Sequence, residues 1–359
     1  MGQLIRFEFL KMMKKKVVYI GLAAFLLLYV IMLWSWLYGN EWARTTEGVD
    51  LYGKEALAYN EEIANRYAGP LTDEKVQEIL AEFPRKDGET IHSVSNNTYY
   101  PIASLFAEEN GKWNGKSVVE VFPEFEEPPV LGQSSRWESL LYSMMYLVLM
   151  AGIVIIIAVS PVFSEEYASG MDALILTARY GKERCALAKV AAAFLFTAVF
   201  TLFIAGMGFL VFLAGRGTAG WDSDIQLSEL MIFTPVKYPL KCYEASVMTV
   251  LVSLAAMMAL NGLTLIFSAV SRTSFVSVIL SAAVYFAPMF ISSGNMIVRK
   301  ILCLFPVNSI SVSGLVKLYG PTLGKTGVPV VVLPVVVALV VITVCVGFCR
   351  RAFANHQVG

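Results

Sequence analysis

Ser164–Lys189, SEEYASGMDALILTARYGKERCALAK, sits between two long apolar runs and is the only sizeable polar segment expected on the cytoplasmic side. Read as a helix, it places Tyr167, Met171, Leu174, Ile175 and Ala178 at i, i+4, i+7, i+8 and i+11, a single apolar face at helical spacing. Glu165, Glu166, Ser169, Asp172 and Arg179 lie off that face. The expectation is a short amphipathic helix held between two membrane spans.

The apolar runs on either side set the class of the whole chain. Of 359 residues, 57% are hydrophobic and 16% charged, whereas soluble domains carry about a quarter charged residues. Val17–Tyr38 contains no charge and is long enough to cross a bilayer, which takes about 20 residues. It ends on bulky aromatics rather than a small-residue cleavage site, so it reads as a retained span. Trp34, Trp36, Tyr38 and Trp42 suit an aromatic belt at its outer end. Five further spans are expected at about 139–162, 188–214, 245–270, 275–293 and 328–349. Six spans put both termini on one side, and the lysine-rich N-terminus with Arg350 and Arg351 makes that side cytoplasmic. The fold class is therefore an all-α integral membrane protein.

Residues 1–16 combine apolar positions with Arg6, Lys11, Lys14, Lys15 and Lys16. Ile5, Phe9, Met12 and Met13 share a helical face opposed by Gln3, Lys11 and Lys14. The pattern predicts a helix in the headgroup layer, its lysines turned towards anionic lipid. A basic flank that only orients the first span fits equally.

Between the first two spans, residues 39–137 hold 18 acidic and 9 basic residues, a net of −9. This excess of acid fits an extracytoplasmic insert. Lys54–Tyr67 reads as a helix. Asp73–Phe83 reads as a second, with Thr72 as N-cap and Leu71 stapled on Val76. Pro84 and the RKDG turn stop it. From Tyr99 to Pro129 the aromatics and prolines predict an extended return to the membrane. Asn96-Asn97-Thr98 matches a glycosylation sequon, a triplet common by chance. The segment 294–327 carries Arg299, Lys300, Lys317 and Lys325 with no acid. Its apolar runs, broken at Pro306-Val307-Asn308, predict two short re-entrant or interfacial helices on the outer side.

The six apolar cores are read as free of Asp, Glu, Lys, Arg and His. Ion-coupled carriers need such groups to bind and release the coupling ion, so that class is disfavoured. The scattered serines and threonines, with Asn261, read as interhelical glue, and Ala205, Gly206 and Gly208 as close-packing positions. Gly320–Thr326 (GPTLGKT) has three residues between its glycines where a phosphate loop needs four. The cytoplasmic pieces, about 16, 25, 5 and 10 residues long, are far below the size of a nucleotide-binding domain. No GxSxG or HExxH motif supports hydrolysis. Five cysteines and two histidines are too scattered for a metal site. Cys345 and Cys349 read as core residues, while a pairing of Cys242 with Cys303 stays open.

With these motifs in place, Ser164–Lys189 resembles the permease subunits of type-2 ABC exporters. The likeness rests on Glu165, Glu166, Tyr167, Gly170, Leu174, Leu176, Thr177, Arg179, Lys182 and Lys189. Met171 and Ala178-Arg179-Tyr180-Gly181 depart from the family pattern. The likeness extends loosely to the six spans, the amphipathic N-terminus and the Leu304–Asn308 break. The resemblance implies a subunit that dimerises with a second permease subunit, identical or not, and binds a separate cytoplasmic ATPase. ATP and Mg would be held by that ATPase, with no cofactor in this chain and no nucleic acid. The stretch 164–189 would be the coupling helix. Its contact residues would be Glu165, Glu166, Tyr167, Gly170, Met171, Asp172, Leu174, Arg179 and Lys182. The expected cargo is an amphipathic or apolar compound (drug, peptide or lipid-like) leaving a bacterial cell. The competing function is a membrane-anchored sensor or immunity protein whose acidic insert binds a cationic peptide.

Overall fold

The computed structural model describes all residues except 36–40, 85–95, 178–180, 229–237, 321, 324–326 and 356–359. The chain is mostly helical, and its long helices follow the apolar runs. They are α1 (Gly2–Met13), α2 (Lys16–Trp34), α7 (Ser134–Val159), α8 (Pro161–Ser169), α10 (Ala186–Arg216), α11 (Cys242–Val270), α12 (Ser274–Phe286) and α16 (Val332–Ala354). Four helical stretches are long and apolar enough to cross a membrane: Ser134–Ser169, Glu183–Arg216, Cys242–Val270 and Val332–Ala354. α1 and α2, bent by 62° at the break between them, bring the number to five when the pair is counted as one span. The stretch expected as a span at 275–293 forms a shorter helix, Ser274–Phe290. Around Pro288 it tightens to a 3₁₀ turn, and Ile291 is already extended. The chain is thus a multi-pass membrane protein of four or five spans by length.

α11 is the central helix, packed on α7, α10, α12 and α16. Its buried face is rich in Ala, Ser and Gly, which lets neighbouring backbones approach closely. A Cβ on Gly262 would lie 2.7 Å from the Val341 side chain of α16. Gly208 of α10 is packed in the same way against Met144 of α7, whereas a Cβ on Gly206 would meet nothing of this chain within 4 Å.

The insert between α2 and α7 folds around its own core. β1 (Trp42–Arg44) pairs antiparallel with β2 (Asp50–Tyr52), and α3 (Gly53–Arg66) follows directly. β3 (Gly69–Pro70) leads into α4 (Asp73–Glu82), whose Thr72 hydroxyl accepts from the Lys75 amide as expected of an N-cap. Leu71 and Val76 are both fully buried in this core. α5 (Tyr99–Phe106) occupies part of the stretch expected to be extended. Pro101 is tolerated there because it lies in the first turn, where its missing N–H has no helical partner to lose. α6 (Val118–Val121) and β4 (Val130–Leu131), antiparallel to β3, complete the unit. The RKDG turn lies outside the described residues.

Asn96 is fully buried, and its Oδ1 accepts from the amides of Thr98 (3.2 Å) and Tyr99 (2.7 Å). The sequon is therefore closed to a glycan, because its asparagine caps α5. Asn96→Ala is expected to destabilise the folded chain by about 1–2 kcal/mol, read as a lower midpoint of thermal unfolding. Asn97→Ala keeps the same cap and should leave the midpoint close to wild type.

Residues 217–228, which follow α10, dock on the insert. Leu227 enters its core, and the Ser134 hydroxyl donates to the Leu227 carbonyl at 2.7 Å. The Asp224 carboxylate accepts from Val130 N (2.7 Å) and Lys241 Nζ (2.8 Å). Burial raises its pKa above the usual carboxylate range in spite of those two bonds. All five cysteines are free and buried, so Cys242 and Cys303 form no disulfide. Cys242 instead lies 3.6 Å from the Ser223 hydroxyl. Between α12 and α16, the expected pair of short helices appears as three: α13 (Met296–Cys303), α14 (Pro306–Ser309) and α15 (Val312–Tyr319). α14 opens on Pro306, at the predicted break.

Candidate coupling site

At the end of the bundle away from the insert, Ser164–Lys189 is not the single amphipathic helix that periodicity suggests. α7 runs on into α8 through a break at Ser160-Pro161, where proline removes one backbone donor. α8 then ends at Gly170, which adopts φ 68°, a left-handed conformation that an L side chain resists. α9 (Met171–Thr177) starts afresh, and Gly181–Cys185 form a π-helical turn into α10. Tyr167 is thereby on α8 and Met171, Leu174 and Ile175 on α9, while Ala178 lies outside the described residues.

α8 is braced from four sides. The Ser268 hydroxyl of α11 donates to the Ser160 carbonyl (2.6 Å) and accepts from the amides of Phe163 (3.0 Å) and Ser164 (3.3 Å). This one hydroxyl ties three backbone groups flanking the Pro161 break to α11, and the Ser160 carbonyl also accepts from Ser164 Oγ at 2.7 Å. Ser164 Oγ bonds Ser274 Oγ at the start of α12 (3.1 Å). Phe353 of α16 packs on Phe163 and stacks on Tyr167 at 6.2 Å between ring centroids.

The fourth brace is ionic and buried. Lys189, in the first turn of α10, is 0% exposed. Its ammonium bonds Glu166 of α8 and lies 3.0 Å from Glu8 of α1. Lys11 approaches the same Glu166 at 3.4 Å. Two carboxylates and two ammonium groups leave this cluster neutral. Buried charges persist only when compensated in this way, because the cost of removing each from water is several kcal/mol. At the rim, Lys15 pairs with Glu165, which stays half exposed. On the far flank, Arg350 of α16 reaches Glu183 at 2.6 Å.

Several sequence expectations change here. Lys189 falls within the expected span 188–214, so that span does hold a charge; it sits at the helix start, where it resembles an ordinary flanking lysine. Lys11 and Lys15 turn inward to Glu166 and Glu165 instead of outward to lipid. Arg6, Lys14 and Lys16 are exposed. The inward face of α1 runs through Ile5, Glu8, Phe9 and Met12, while Phe7 and Leu10 face outward. Glu166 and Asp172 are each 4% exposed and present no charge at the surface. Of the expected contact residues, Glu165, Gly170, Met171 and Leu174 lie open, Met171 at 49% and Leu174 at 67%. Tyr167 is half-buried against Phe353. Arg179 lies outside the described residues, as does the Lys182 side chain. Glu8 and Ser268, missed by sequence reading, carried one signal: Glu8 sits four residues from both Leu4 and Met12 on an apolar face.

The assembly is a short, internally tied segment that exposes a small apolar tip. It joins the starts or ends of α1, α7, α10, α11, α12 and α16, so its displacement would be felt by most of the bundle. Among the described residues, no group of His, Cys, Asp and Glu is arranged to hold a metal. No curated protein and no solved structure matches the chain. A family model described as "ABC-2 family transporter protein" matches residues 3–322. Nearly the whole chain is covered by that match, and the chain belongs to the ABC-2 transporter family of membrane proteins.

Proposed function

We propose that this chain is the transmembrane subunit of an ATP-driven exporter, and that α8 and α9 receive the stroke of a separate ATPase subunit. One observation carries this reading. Met171 and Leu174 are exposed on α9, directly after α8, which is tied to α1, α10, α11 and α12 by hydrogen bonds and ion pairs and packed on α16 through Phe353. An exposed apolar tip on a braced support suits a docking contact, which needs a desolvated anchor held in place. Glu165 stands beside that tip and supplies the charge that orients the partner. ATP and Mg belong to the partner, whose closure pushes α8–α9 and shifts the ends of α7, α10 and α11 together. In this arrangement α1 and both termini face the cytoplasm, the insert faces outward, and α2 and α12 complete six spans in the bacterial plasma membrane. A second permease subunit completes the path for an amphipathic or apolar cargo.

The test is co-purification with the cognate ATPase subunit after charge reversal at Glu165. Glu165→Lys sets a lysine beside Lys15 at an exposed rim, where a single pair is worth about 1 kcal/mol at most, so the unfolding midpoint should fall only slightly. Assembly with the ATPase, and ATP turnover in the complex, are expected to fall about tenfold or more, since like charges brought together cost several kcal/mol. Assembly and turnover at wild-type levels would remove the coupling role. Glu166 is unsuitable for this test, because reversing a buried charge reports on folding.

A further inference from the structure

A groove at the elbow between α1 and α2 takes no part in the ionic braces. Its walls come from Phe9 and Met13 of α1, Val18 and Leu22 of α2, Val154 of α7, and the Phe196–Phe203 face of α10. It encloses about 250 Å³ lined by apolar side chains. An apolar cavity of about 150 Å³ already stays dry and takes up a hydrocarbon, so water is a poor occupant here. Val199 and Phe203, at 52% and 47% exposure, leave the groove open sideways, towards the region that a bilayer would occupy.

In the chain, Lys14-Lys15-Lys16 and Val17 connect the lining residues Met13 and Val18. Glu165 holds Lys15. Lys14 and Lys16 are exposed and have no carboxylate partner among the described residues. A hydrocarbon slot whose lining residues Met13 and Val18 are joined by a stretch with two exposed lysines matches a molecule with an apolar tail and an anionic head. We propose that this groove seats one anionic phospholipid, its acyl chain against α10 and its phosphate on Lys14 and Lys16. The bound lipid would tie the elbow to α10, whose first turn carries Lys189. This rests on the proposed function only in placing the elbow in the headgroup layer.

The experiment uses the full chain without any ATPase, so its failure and that of the coupling role are separate results. The detergent-purified chain is stripped of lipid and exposed to vesicles of phosphatidylcholine and phosphatidylglycerol in equal amounts. Retained lipid is then counted by native mass spectrometry. Wild type should keep one phosphatidylglycerol in preference to phosphatidylcholine by about 25-fold, each lysine contributing about fivefold. Lys14→Gln with Lys16→Gln should still keep one phospholipid but lose the preference. Val199→Trp, which fills the groove from an exposed position, should lose the retained lipid of either kind while its unfolding midpoint holds. Equal retention of both lipids by wild type, or retention that survives Val199→Trp, identifies annular lipid only and overturns the proposal. Another apolar compound found in place of phospholipid overturns it as well.

Discussion

Lys189→Met is expected to destabilise the folded chain by about 3–5 kcal/mol, the loss that follows when one partner of a buried ion pair is removed. Lys189 is fully enclosed, and its ammonium serves both Glu8 and Glu166. Methionine is of similar length and leaves little cavity, so the loss is electrostatic. Two buried carboxylates would remain, with only Lys11, itself partly exposed, near Glu166. They would take up protons or draw water into the junction of α1, α8 and α10. A measurement of thermal unfolding in detergent should show a large fall in midpoint, and a fall in the yield of folded protein with it. The electrostatic origin has its own check. Adding Glu8→Gln and Glu166→Gln to Lys189→Met removes the orphaned charges and should recover much of the loss. If the triple variant is no more stable than Lys189→Met, packing at this point matters more than charge, and the neutral cluster is not what holds α1 to α8.

This cluster also marks the limit of what the chain discloses by itself. Its partners lie far apart, Lys11 and Lys15 being 155 and 150 residues from Glu166 and Glu165. No local pattern links them, and a lysine-rich N-terminus before a span has a ready explanation in lipid. Lys189 was equally hidden, because a lysine at the start of a span resembles an interfacial anchor. Local signals succeeded where the physics is local. α3 at Gly53–Arg66 and α4 behind its Thr72 cap lie within a residue of their expected bounds, since capping and 3.6-residue periodicity act over a few positions. α5 was missed because Tyr99-Tyr100-Pro101 reads as extended, yet burial in the insert core and the Asn96 cap outweigh that preference. The division of Ser164–Lys189 into α8 and α9 was legible in Gly170 alone. Periodicity passed across that glycine because i and i+4 positions continue to match on either side of a break.

The second large effect concerns function with the fold intact. Met171→Asp combined with Leu174→Asp should leave the unfolding midpoint near wild type, because both side chains are already open to water. Polar substitution at exposed sites away from buried contacts changes stability by about half a kcal/mol at most. Asp172 and Ile175 on the same short helix face inward or partly inward, and they are left in place. In the complex the expectation reverses. If these two residues are the anchors that enter a groove of the ATPase, burying a carboxylate there costs more than the lost apolar contact alone. Truncation of anchor residues removes about 2 kcal/mol or more from binding, so the double variant should bind the ATPase at least about thirtyfold more weakly. ATP turnover by the complex should fall with occupancy, and saturating ATPase should restore it only if docking alone is damaged. Turnover that stays low at saturation would mean that the tip also transmits the stroke. Wild-type affinity and turnover in the double variant would show that α9 is a solvent-facing turn of the bundle, and the contact would then be sought at Glu183 and Arg350, where the turn before α10 meets the end of α16.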